Sequence, residues 1–317
     1  MQSKSSFRSR VGIVLKSYLG DAVMATPLIF SLGNSVFEPI ILSSSPADHL
    51  LKGRVPGEVI HIEKAKSWRG IIMQARQIRS LELDSILLIN RSFRCALIAR
   101  LAKVKVRSGH STECRKRLLT HSYSYSKTLF ESACYNELAQ PIASINDFGF
   151  PRLKVKVAPI AASNPQVAIQ PGARYDAKRI SLSTLAEIAS YCVDCGYEVV
   201  LVGGQEERPL ASEMERRTGM RLRNMVGTTN FNQLIEVLQR VKIVIGSDTG
   251  LMHIAAAIGT PTLTVFGPNP ASKWGHEYPP HMIIEADGGD ISRVTTCGIL
   301  KVLTQSLNSA YRDNVIA

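Results

Sequence analysis

Short apolar segments alternate with helix-like segments along most of this sequence, and this alternation restricts the fold more than any other feature. In the first third of the chain the apolar segments are VGIVL, PIILS, EVIHI and SILLI, and each is followed by a segment of helical periodicity. Alternation at this spacing predicts a parallel sheet whose strands are joined by right-handed crossovers. The pattern becomes indistinct between about residues 111 and 150.

A second series of the same kind follows KVAPIAASNPQ, a segment whose Pro, Ala and Ser residues are typical of a linker. Because 317 residues exceed the usual range of a single core, we predict two domains, residues 1–158 and 159–317. Each is expected to be a doubly wound α/β unit, with ligands bound in a cleft between the carboxyl ends of the two sheets. The last segment, CGILKVLTQSLNSAYR, predicts a helix that we expect to pack back toward the first domain.

The charge balance of the chain indicates an anionic partner. The formal net charge is +12 and the pI is about 9.5, which suits nucleic acid, an anionic membrane surface or a phosphorylated small molecule. The six cysteines are scattered through a chain of this size, which is typical of a reducing cytosol. The apolar run near the start, Val11 to Leu15, is shorter than that of a signal peptide, and no run of about 18 apolar residues predicts a membrane span.

The turn after the first predicted strand reads KSYLGDAVMATP. It contains neither GxGxxG nor GxxxxGK[ST], which argues against a dehydrogenase and against a P-loop NTPase. Asp21 follows Gly20 directly at the carboxyl end of the strand. An acid there is either a helix cap, with Thr26 and Pro27 restarting the helix as N-cap and first residue, or a general base that faces a ligand.

The turn after the first strand of the second series reads IQPGARYDAKRISLSTLAE. Gly172 permits a tight turn, and Lys178 and Arg179 stand just before a helix whose start we place at Thr184 and Glu187, in capping-box spacing. Two cations beside a helix N-terminus suit a diphosphate. The alternative is a pair of solvated surface cations.

A third turn lies within GSDTGLMHIAAAIGTPTLTVFG, between an apolar strand and an apolar helix. The amides of Thr249, Gly250 and Leu251 are first-turn donors that suit phosphate oxygens. His253, one turn into the helix, is either a further donor or a hydrogen-bonded core histidine. Asp248 is either an N-cap or an acceptor for sugar hydroxyls, and a cation such as Lys178 would offset its charge beside a phosphate.

These three segments together, in this order and spacing, resemble glycosyltransferase family 9, the heptosyltransferase family. The resemblance covers most of the chain. It implies a GT-B fold, in which two Rossmann-like domains face each other and bind the acceptor in the first domain and the nucleotide sugar in the second. It also implies inverting transfer of a heptose, typically from ADP-heptose, to the inner core of lipopolysaccharide, with no cofactor and no essential metal.

The resemblance also assigns roles to individual residues. It implies that Asp21 is the general base and that Lys178 binds the diphosphate and stabilises the leaving group. The acid expected at the nucleotide ribose is Glu206 or Glu207, which the sequence does not separate. The remaining residues that we expect at the donor are Gly20, Arg179, Asp248, Thr249, Gly250, Leu251 and His253.

A basic stretch in the first half of the chain suggests which anionic partner the positive net charge attracts. Between Arg91 and Lys127 the only acid is Glu113, against cations at positions 91, 94, 100, 103, 105, 107, 115, 116, 117 and 127. Such a surface would attract a phosphorylated lipid-linked acceptor in the anionic inner leaflet, which predicts a cytoplasmic, peripheral membrane enzyme. The alternative is a generic solvated basic face. The expected acceptor contacts are Arg91, Arg94, Arg115, Lys116 and Arg117.

The sequence departs from the family pattern at two places. KRI replaces the frequent KRW, which removes an aromatic ring, and the late Cys-rich, Arg-containing segment is reduced to one cysteine, Cys297. Another nucleotide sugar or a protein acceptor therefore remains open. Outside this class there are two alternatives, a basic nucleic-acid-binding protein and a catalytically inactive binding protein. No nucleic acid is expected as a partner, because the sequence contains no nucleic-acid-binding motif and its basic stretch has no interleaved aromatic residues.

Overall fold

The chain divides into two units, Met1–Lys154 and Val155–Ala317. The computed structural model describes residues 8–144, 149–156 and 165–308. The boundary predicted at residue 158 and most of the predicted linker lie outside the described residues.

The first unit is built around one parallel six-stranded sheet with the strand order β3-β2-β1-β4-β5-β6. Its strands are β1 (Ser9–Val14), β2 (Phe37–Ser43), β3 (Glu58–His61), β4 (Ser85–Leu88), β5 (Val106–His110) and β6 (His121–Tyr123). Its α-helices are α1 (Leu19–Met24), α2 (Thr26–Gly33), α3 (Ala47–Leu51), α4 (Trp68–Ser80), α5 (Phe93–Leu101) and α6 (Glu131–Asn136). Short 3-10 turns occupy Arg115–Leu118 and Glu137–Ala139.

The second unit has another parallel six-stranded sheet, with the order β12-β11-β10-β7-β8-β9. Its strands are β7 (Gln166–Ile169), β8 (Glu198–Leu201), β9 (Arg223–Asn224), β10 (Val241–Ser247), β11 (Thr262–Phe266) and β12 (Met282–Glu285). Its α-helices are α7 (Leu182–Asp194), α8 (Arg208–Thr218), α9 (Phe231–Arg240), α10 (Gly250–Ala257), α11 (Ala271–Trp274) and α12 (Thr296–Asn308). Its 3-10 turns are Asp176–Lys178, Gln205–Glu207, Asp287–Gly289 and Ile291–Arg293.

Both sheets have the strand order of a Rossmann fold, in which the first and fourth strands of the unit are neighbours. In the first unit these are β1 and β4, and in the second they are β7 and β10. The chain direction across the sheet reverses between these two strands, so the turns that follow them leave a crevice at the carboxyl edge. The three turns singled out in the sequence follow β1, β7 and β10, and this topology therefore places them where open α/β sheets bind ligands.

The hydrophobic cores of the two units explain why the central strands are continuous apolar segments in the sequence. Both faces of each sheet are covered, so Ile13 in β1 and Ile245 in β10 have no exposed surface. Three residues of α12 at four-residue spacing, Ile299, Leu303 and Leu307, join the core of the second unit, and Thr304 lies 2.7 Å from the Tyr191 hydroxyl of α7. The packing of this helix toward the first unit stays a prediction.

Two predicted helix starts are wrong by a few residues. Ser181 caps α7, because its Oγ accepts a hydrogen bond from the Thr184 amide at 3.0 Å, so Thr184 is the third helical residue instead of the cap. Thr26 is the first residue of α2, with Ala25 at the N-cap, and the Thr26 hydroxyl donates to the Val23 carbonyl. In α7 the sequence offered two hydroxyls as possible caps, those of Ser181 and Thr184, whereas α2 begins without any side-chain cap.

Candidate active site

The turn after β10 exposes the start of α10. Thr249 is the N-cap in extended conformation, with φ −142° and ψ 166°, and Gly250 is the first helical residue. At this position in a helix the amides of Gly250, Leu251 and Met252 have no intrahelical acceptor, and the helix dipole adds positive potential. The turn can therefore bind an anionic group through backbone donors.

An ion pair lies beside this helix start. Lys178 Nζ is 2.8 Å from Asp248 Oδ2, and the Asn269 side-chain amide donates to the same oxygen at 2.8 Å. Burial alone would raise the pKa of Asp248, but contact with His253 and the charge of Lys178 outweigh burial and lower this pKa below its ordinary value. The carboxylate is therefore ionised at neutral pH, and it holds the ammonium of Lys178 next to the free amides.

His253 lies on the buried side of this pair and is only 5% exposed. Its Nε2 is 3.6 Å from Asp248 Oδ1, and its Nδ1 is 2.9 Å from Nε2 of His276. The two interpretations of His253 made from the sequence are thus not exclusive, because the ring is hydrogen-bonded within the core and also faces the carboxylate of the site.

A second network extends from the same turn to the residues after β7 and β8. The Thr249 hydroxyl donates to Gln170 Oε1 at 2.5 Å, and the Gln170 amide donates to Glu207 Oε1 at 3.0 Å. The other oxygen of Glu207 accepts the Gly204 amide at 2.7 Å. Burial raises the pKa of Glu207, and these two hydrogen bonds oppose that rise. Glu206 is exposed, so the structure places Glu207, and not Glu206, in the network.

Two glycines make room for the Glu207 carboxylate. A Cβ atom added to Gly172 would lie 2.2 Å from Glu207 Oε1, and one added to Gly203 would lie 2.1 Å from Oε2. Both distances are far below van der Waals contact. The turns after β7 and β8 therefore admit the carboxylate only because neither position carries a side chain.

Arg179 and Ile180 follow Lys178 and have different surroundings. The Arg179 guanidinium pairs with Asp176 at 2.8 Å and lies within 3.5 Å of the Ala173 carbonyl. Its buried Nε has no hydrogen-bond partner among the described residues. Ile180 is 3% exposed and belongs to the core of the second unit, and its amide donates to the Ser247 hydroxyl. In this protein the position that differs from the KRW pattern is thus a core position.

In the first unit, Asp21 belongs to a buried cluster of charged and phenolic groups. Asp21 lies in α1 directly after Gly20, and its Oδ1 accepts from Lys16 Nζ at 2.6 Å and from the Tyr135 hydroxyl at 2.7 Å. Lys16 also contacts Glu131 Oε1 at 3.2 Å, and Glu131 is fully buried. Asp21 is therefore not a helix cap, because Tyr18 occupies that position.

A pocket of about 500 Å³ lies next to this cluster at the carboxyl edge of the first sheet. Lys16, Arg91 and Arg94 line it, together with hydroxyl groups of the turns after β1, β2 and β4. The guanidinium of Arg91 stacks 3.7 Å from the ring centre of Tyr125, whose hydroxyl donates to Glu131. Glu63 and Glu113 also line the pocket, but the cations outnumber these two acids, and this excess of positive charge beside hydroxyl groups suits an anionic, polyhydroxylated ligand.

The three consecutive cations after Cys114 differ in burial. Lys116 and Arg117 are exposed, whereas Arg115 has no exposed surface. The Arg115 guanidinium donates to the carbonyls of His110, Asn90, Ser92 and Leu88. Burial lowers the pKa of Arg115 to about 10. In this structure Arg115 therefore ties the turns after β4 and β5 together and has no free donor surface for the acceptor contact expected from the sequence.

Several participating residues were not recognised from the sequence. Lys16 stands in the same turn as Asp21, and Asn269 follows β11, so both were accessible from the rule that ligands bind at carboxyl strand ends. Glu131, Tyr135 and His276 gave no such signal, because they come from segments without a strong pattern.

The described part of the chain contains neither a metal-binding cluster nor a membrane-spanning helix. Within residues 8–144, 149–156 and 165–308, no group of three or more His, Cys, Asp or Glu side chains is arranged to hold a metal ion. The two neighbouring cysteines of α7 and its C-cap differ, because burial raises the pKa of the Cys192 thiol to about 12, whereas Cys195 is exposed. None of the helices in these ranges combines the length and apolar character of a membrane span.

Comparison with known proteins adds to this geometry. The family model for glycosyltransferase family 9 (heptosyltransferase) matches residues 71–290. Lipopolysaccharide heptosyltransferase 2 of Escherichia coli K12 is 24% identical over 297 residues, which cover 82% of this chain and 83% of that protein.

Solved structures show the same fold at low identity. The glycosyl transferase family 9 structure from Veillonella parvula DSM 2008 has a TM-score of 0.83 and 15% identity and covers 95% of this chain and 98% of that chain. The E. coli heptosyltransferase WaaC with ADP has a TM-score of 0.74 and 16% identity and covers 94% and 99%. The predicted fold class, a GT-B protein with two doubly wound α/β units, is confirmed.

Proposed function

We propose that this chain, which belongs to glycosyltransferase family 9 and is a glycosyltransferase, transfers a heptose from ADP-heptose to the inner core of lipopolysaccharide or to a related cell-surface glycan. The observation that carries the proposal is the ion pair of Lys178 with Asp248 at the open N-terminus of α10. A similar fold has been solved with ADP, which supports a nucleoside diphosphate as the leaving group.

The donor is assigned to the second unit. The first-turn amides of α10 and the ammonium of Lys178 bind the diphosphate, where backbone donors and a cation together stabilise the negative charge that grows as the sugar leaves. Asp248 accepts hydrogen bonds from sugar hydroxyls, and Arg179 adds a second cation. Glu207 binds the ribose hydroxyls, because its carboxylate is already held in the turns after β7 and β8.

The acceptor and the base are assigned to the first unit. Asp21 removes the proton from the acceptor hydroxyl as the oxygen of that hydroxyl attacks the anomeric carbon, and the bond from this carbon to the diphosphate oxygen breaks. One displacement of this kind inverts the configuration at the anomeric carbon. Lys16 and Tyr135 donate to one oxygen of Asp21 and so fix the orientation of the carboxylate.

The residues that line the pocket beside Asp21 indicate the chemical class of the acceptor. Arg91 and Arg94 supply positive charge to a site rich in hydroxyl groups, which suits a phosphorylated, lipid-linked glycan. The exposed Lys116 and Arg117 add to the attraction of an anionic leaflet. We therefore place the enzyme in the cytoplasm, as a peripheral protein on the inner face of the cytoplasmic membrane. The proposed chemistry requires no metal, since cations and amides of the chain meet the charge of the leaving group.

The experiment that tests this proposal is calorimetric titration of the protein with ADP, UDP, GDP and CDP, first without metal and then with magnesium. Selective binding of ADP that is independent of magnesium supports the proposed donor, and transfer assays with lipopolysaccharide-core acceptors then follow. Preference for another nucleoside diphosphate would replace the donor but keep the reaction class. Absence of binding to all four would contradict the proposal and favour a protein without transferase activity.

A further inference from the structure

Behind the proposed donor site, two buried histidines and a partly buried tyrosine form a hydrogen-bonded chain that leads away from Asp248. His253 Nδ1 lies 2.9 Å from His276 Nε2, and His276 Nδ1 lies 3.1 Å from the Tyr278 hydroxyl. His276 is 6% exposed. These two residues come from the segment between α11 and β12, which no part of the proposed mechanism uses.

We infer that His276 and Tyr278 are positioning residues that fix the ring orientation of His253 and keep its proton on Nε2, facing Asp248. The consequence for donor binding rests on the proposed function, whereas the position of the proton does not. A histidine ring with a proton on Nε2 can donate to the carboxylate or to a phosphate oxygen at the start of α10. A ring with its proton on Nδ1 would present a lone pair to the same anions.

Proton counting along the chain supports this assignment. Burial lowers the pKa of His276 well below its ordinary value, so this ring is neutral and carries one proton. Burial also raises the pKa of Tyr278, so the phenol keeps its proton and can donate it to His276 Nδ1. The proton of His276 then lies on Nε2 and is donated to His253 Nδ1. Each of the two hydrogen bonds in this arrangement has one hydrogen, and the remaining proton of His253 lies on Nε2, 3.6 Å from Asp248 Oδ1.

Packing around the chain restricts the rings further. The His253 and His276 rings meet edge to face with centroids 5.1 Å apart, and Tyr278 lies edge to face against His276 at 5.7 Å. His281 packs against His276 and Tyr278, but its Nδ1 lies 3.2 Å from the Thr262 hydroxyl. His281 is therefore a buried histidine of the same cluster whose hydrogen bond leads elsewhere, which makes it a matched control.

The test measures the proton position directly. Long-range proton–nitrogen NMR of the histidine-labelled full-length protein reports which ring nitrogen of His253 is protonated, with His253→Gln used for assignment. We expect the proton on Nε2 in the wild type and a shift toward Nδ1 in His276→Phe, which removes both ring nitrogens. His276→Gln, whose amide can still donate, should restore the wild-type signal, and the control His281→Phe should leave it unchanged.

Binding provides the second readout. In calorimetric titration with ADP, we expect His276→Phe to weaken affinity on the order of 10-fold, and His276→Gln to recover most of this loss. If His276→Phe does not fold, Tyr278→Phe takes its place and must shift the ring signals of His253 in the same direction. A proton on Nδ1 of His253 in the wild type, or equal effects of His276→Phe and His281→Phe, would overturn the inference. If the wild type binds no nucleotide, the proposed function fails, while the NMR signals still decide the role of His276.

Discussion

Lys178 Nζ and Asp248 Oδ2 lie 2.8 Å apart at the start of α10, in a pair whose side chains are mostly buried. The pair joins the turn after β7 to the turn after β10, the two strands between which the chain direction of the sheet reverses. A carboxylate beside a phosphate site is unfavourable by itself, and the ammonium offsets that charge. The same ammonium is thereby held ready for an incoming anion.

Replacing Lys178 by Ala should weaken diphosphate binding, because it removes the cation and leaves Asp248 unpaired beside the helix start. We expect a loss of affinity for ADP of about 10-fold and a loss of transfer rate of about 100-fold, since charge on the leaving group is greatest in the transition state. Calorimetry and initial rates measure the two effects. Lys301→Ala removes an exposed lysine of the same unit and should change neither value; equal losses in both variants would indicate a nonspecific charge effect.

Asp21→Asn should abolish transfer while ADP affinity stays nearly unchanged, because the proposed base acts on the acceptor. The amide keeps the size of the side chain and can still accept from Lys16 and Tyr135, but it cannot take up a proton at neutral pH. We expect a rate loss of at least about 100-fold in single-turnover assays. Clearly weakened ADP binding would show that Asp21 belongs to the donor site.

Glu207 and Glu206 are adjacent acids with different surroundings, so they form a matched pair. Glu207→Gln should lower ADP affinity by roughly 10-fold, because its NH2 group replaces one of the two carboxylate oxygens, so that a donor faces either the Gly204 amide or the Gln170 amide and the negative charge is lost. Glu206→Gln should have little effect, since that side chain is exposed. Titration of both variants with ADP and with pyrophosphate, which has no ribose, shows whether the loss of affinity depends on the ribose. An equal loss for pyrophosphate would argue against a ribose contact.

Arg115→Met should destabilise the first unit, whereas Arg117→Met should not. Arg115 is fully buried and donates to four backbone carbonyls, and its removal takes one buried donor from each of them, although the His110 carbonyl still accepts the Thr112 amide. We expect a decrease of about 3 kcal/mol in the free energy of unfolding for Arg115→Met and less than about 0.5 kcal/mol for Arg117→Met. Urea denaturation followed by circular dichroism measures both. Similar stabilities of the two variants would mean that the carbonyls find water.

Acidification should destabilise the protein through His110 and His281, because burial lowers the pKa of each to about 4. In the unfolded chain a histidine titrates near about pH 6.5, so the folded state binds fewer protons in this range. Above about pH 6.5 both histidines are neutral in the folded and unfolded states, and the free energy of unfolding has its full value. As the pH falls toward about 4, this free energy decreases by up to roughly 3 kcal/mol per histidine. Unfolding free energies at several pH values should fall less steeply for His110→Phe than for the wild type. Parallel curves would refute the assignment for His110.

The sequence was sufficient to predict the two sheets, because strands covered on both faces must be apolar throughout, as in β1 and β10. It also located the turns that carry Asp21, Lys178 and Asp248, since carboxyl strand ends are set by topology. It also named Lys178 as a cation that would offset Asp248, which the 2.8 Å ion pair confirms, but it did not locate the other partners of these residues. Glu131, Tyr135 and His276 reach their sites through tertiary packing, which local periodicity does not encode.

The sequence also failed where two chemically similar residues competed for one position. Ser181 and Thr184 both suit a helix cap, and only the backbone angles decide for Ser181. Glu206 and Glu207 are likewise indistinguishable by type, and their difference depends on which side of a short 3-10 turn faces Gln170. Arg115, within a run of three cations, was predicted to bind a ligand because burial cannot be inferred from charge.

The two glycines that surround Glu207 have a consequence for how this protein can change. Even the methyl group of alanine at Gly172 or Gly203 would displace a carboxylate oxygen, so a mutation at a site without any functional atom would act as a mutation of the acid itself. Under the proposed role of Glu207, selection on nucleotide binding extends to two positions that contribute only the absence of a side chain. Redesign of the donor preference would therefore have to begin at positions other than these two glycines.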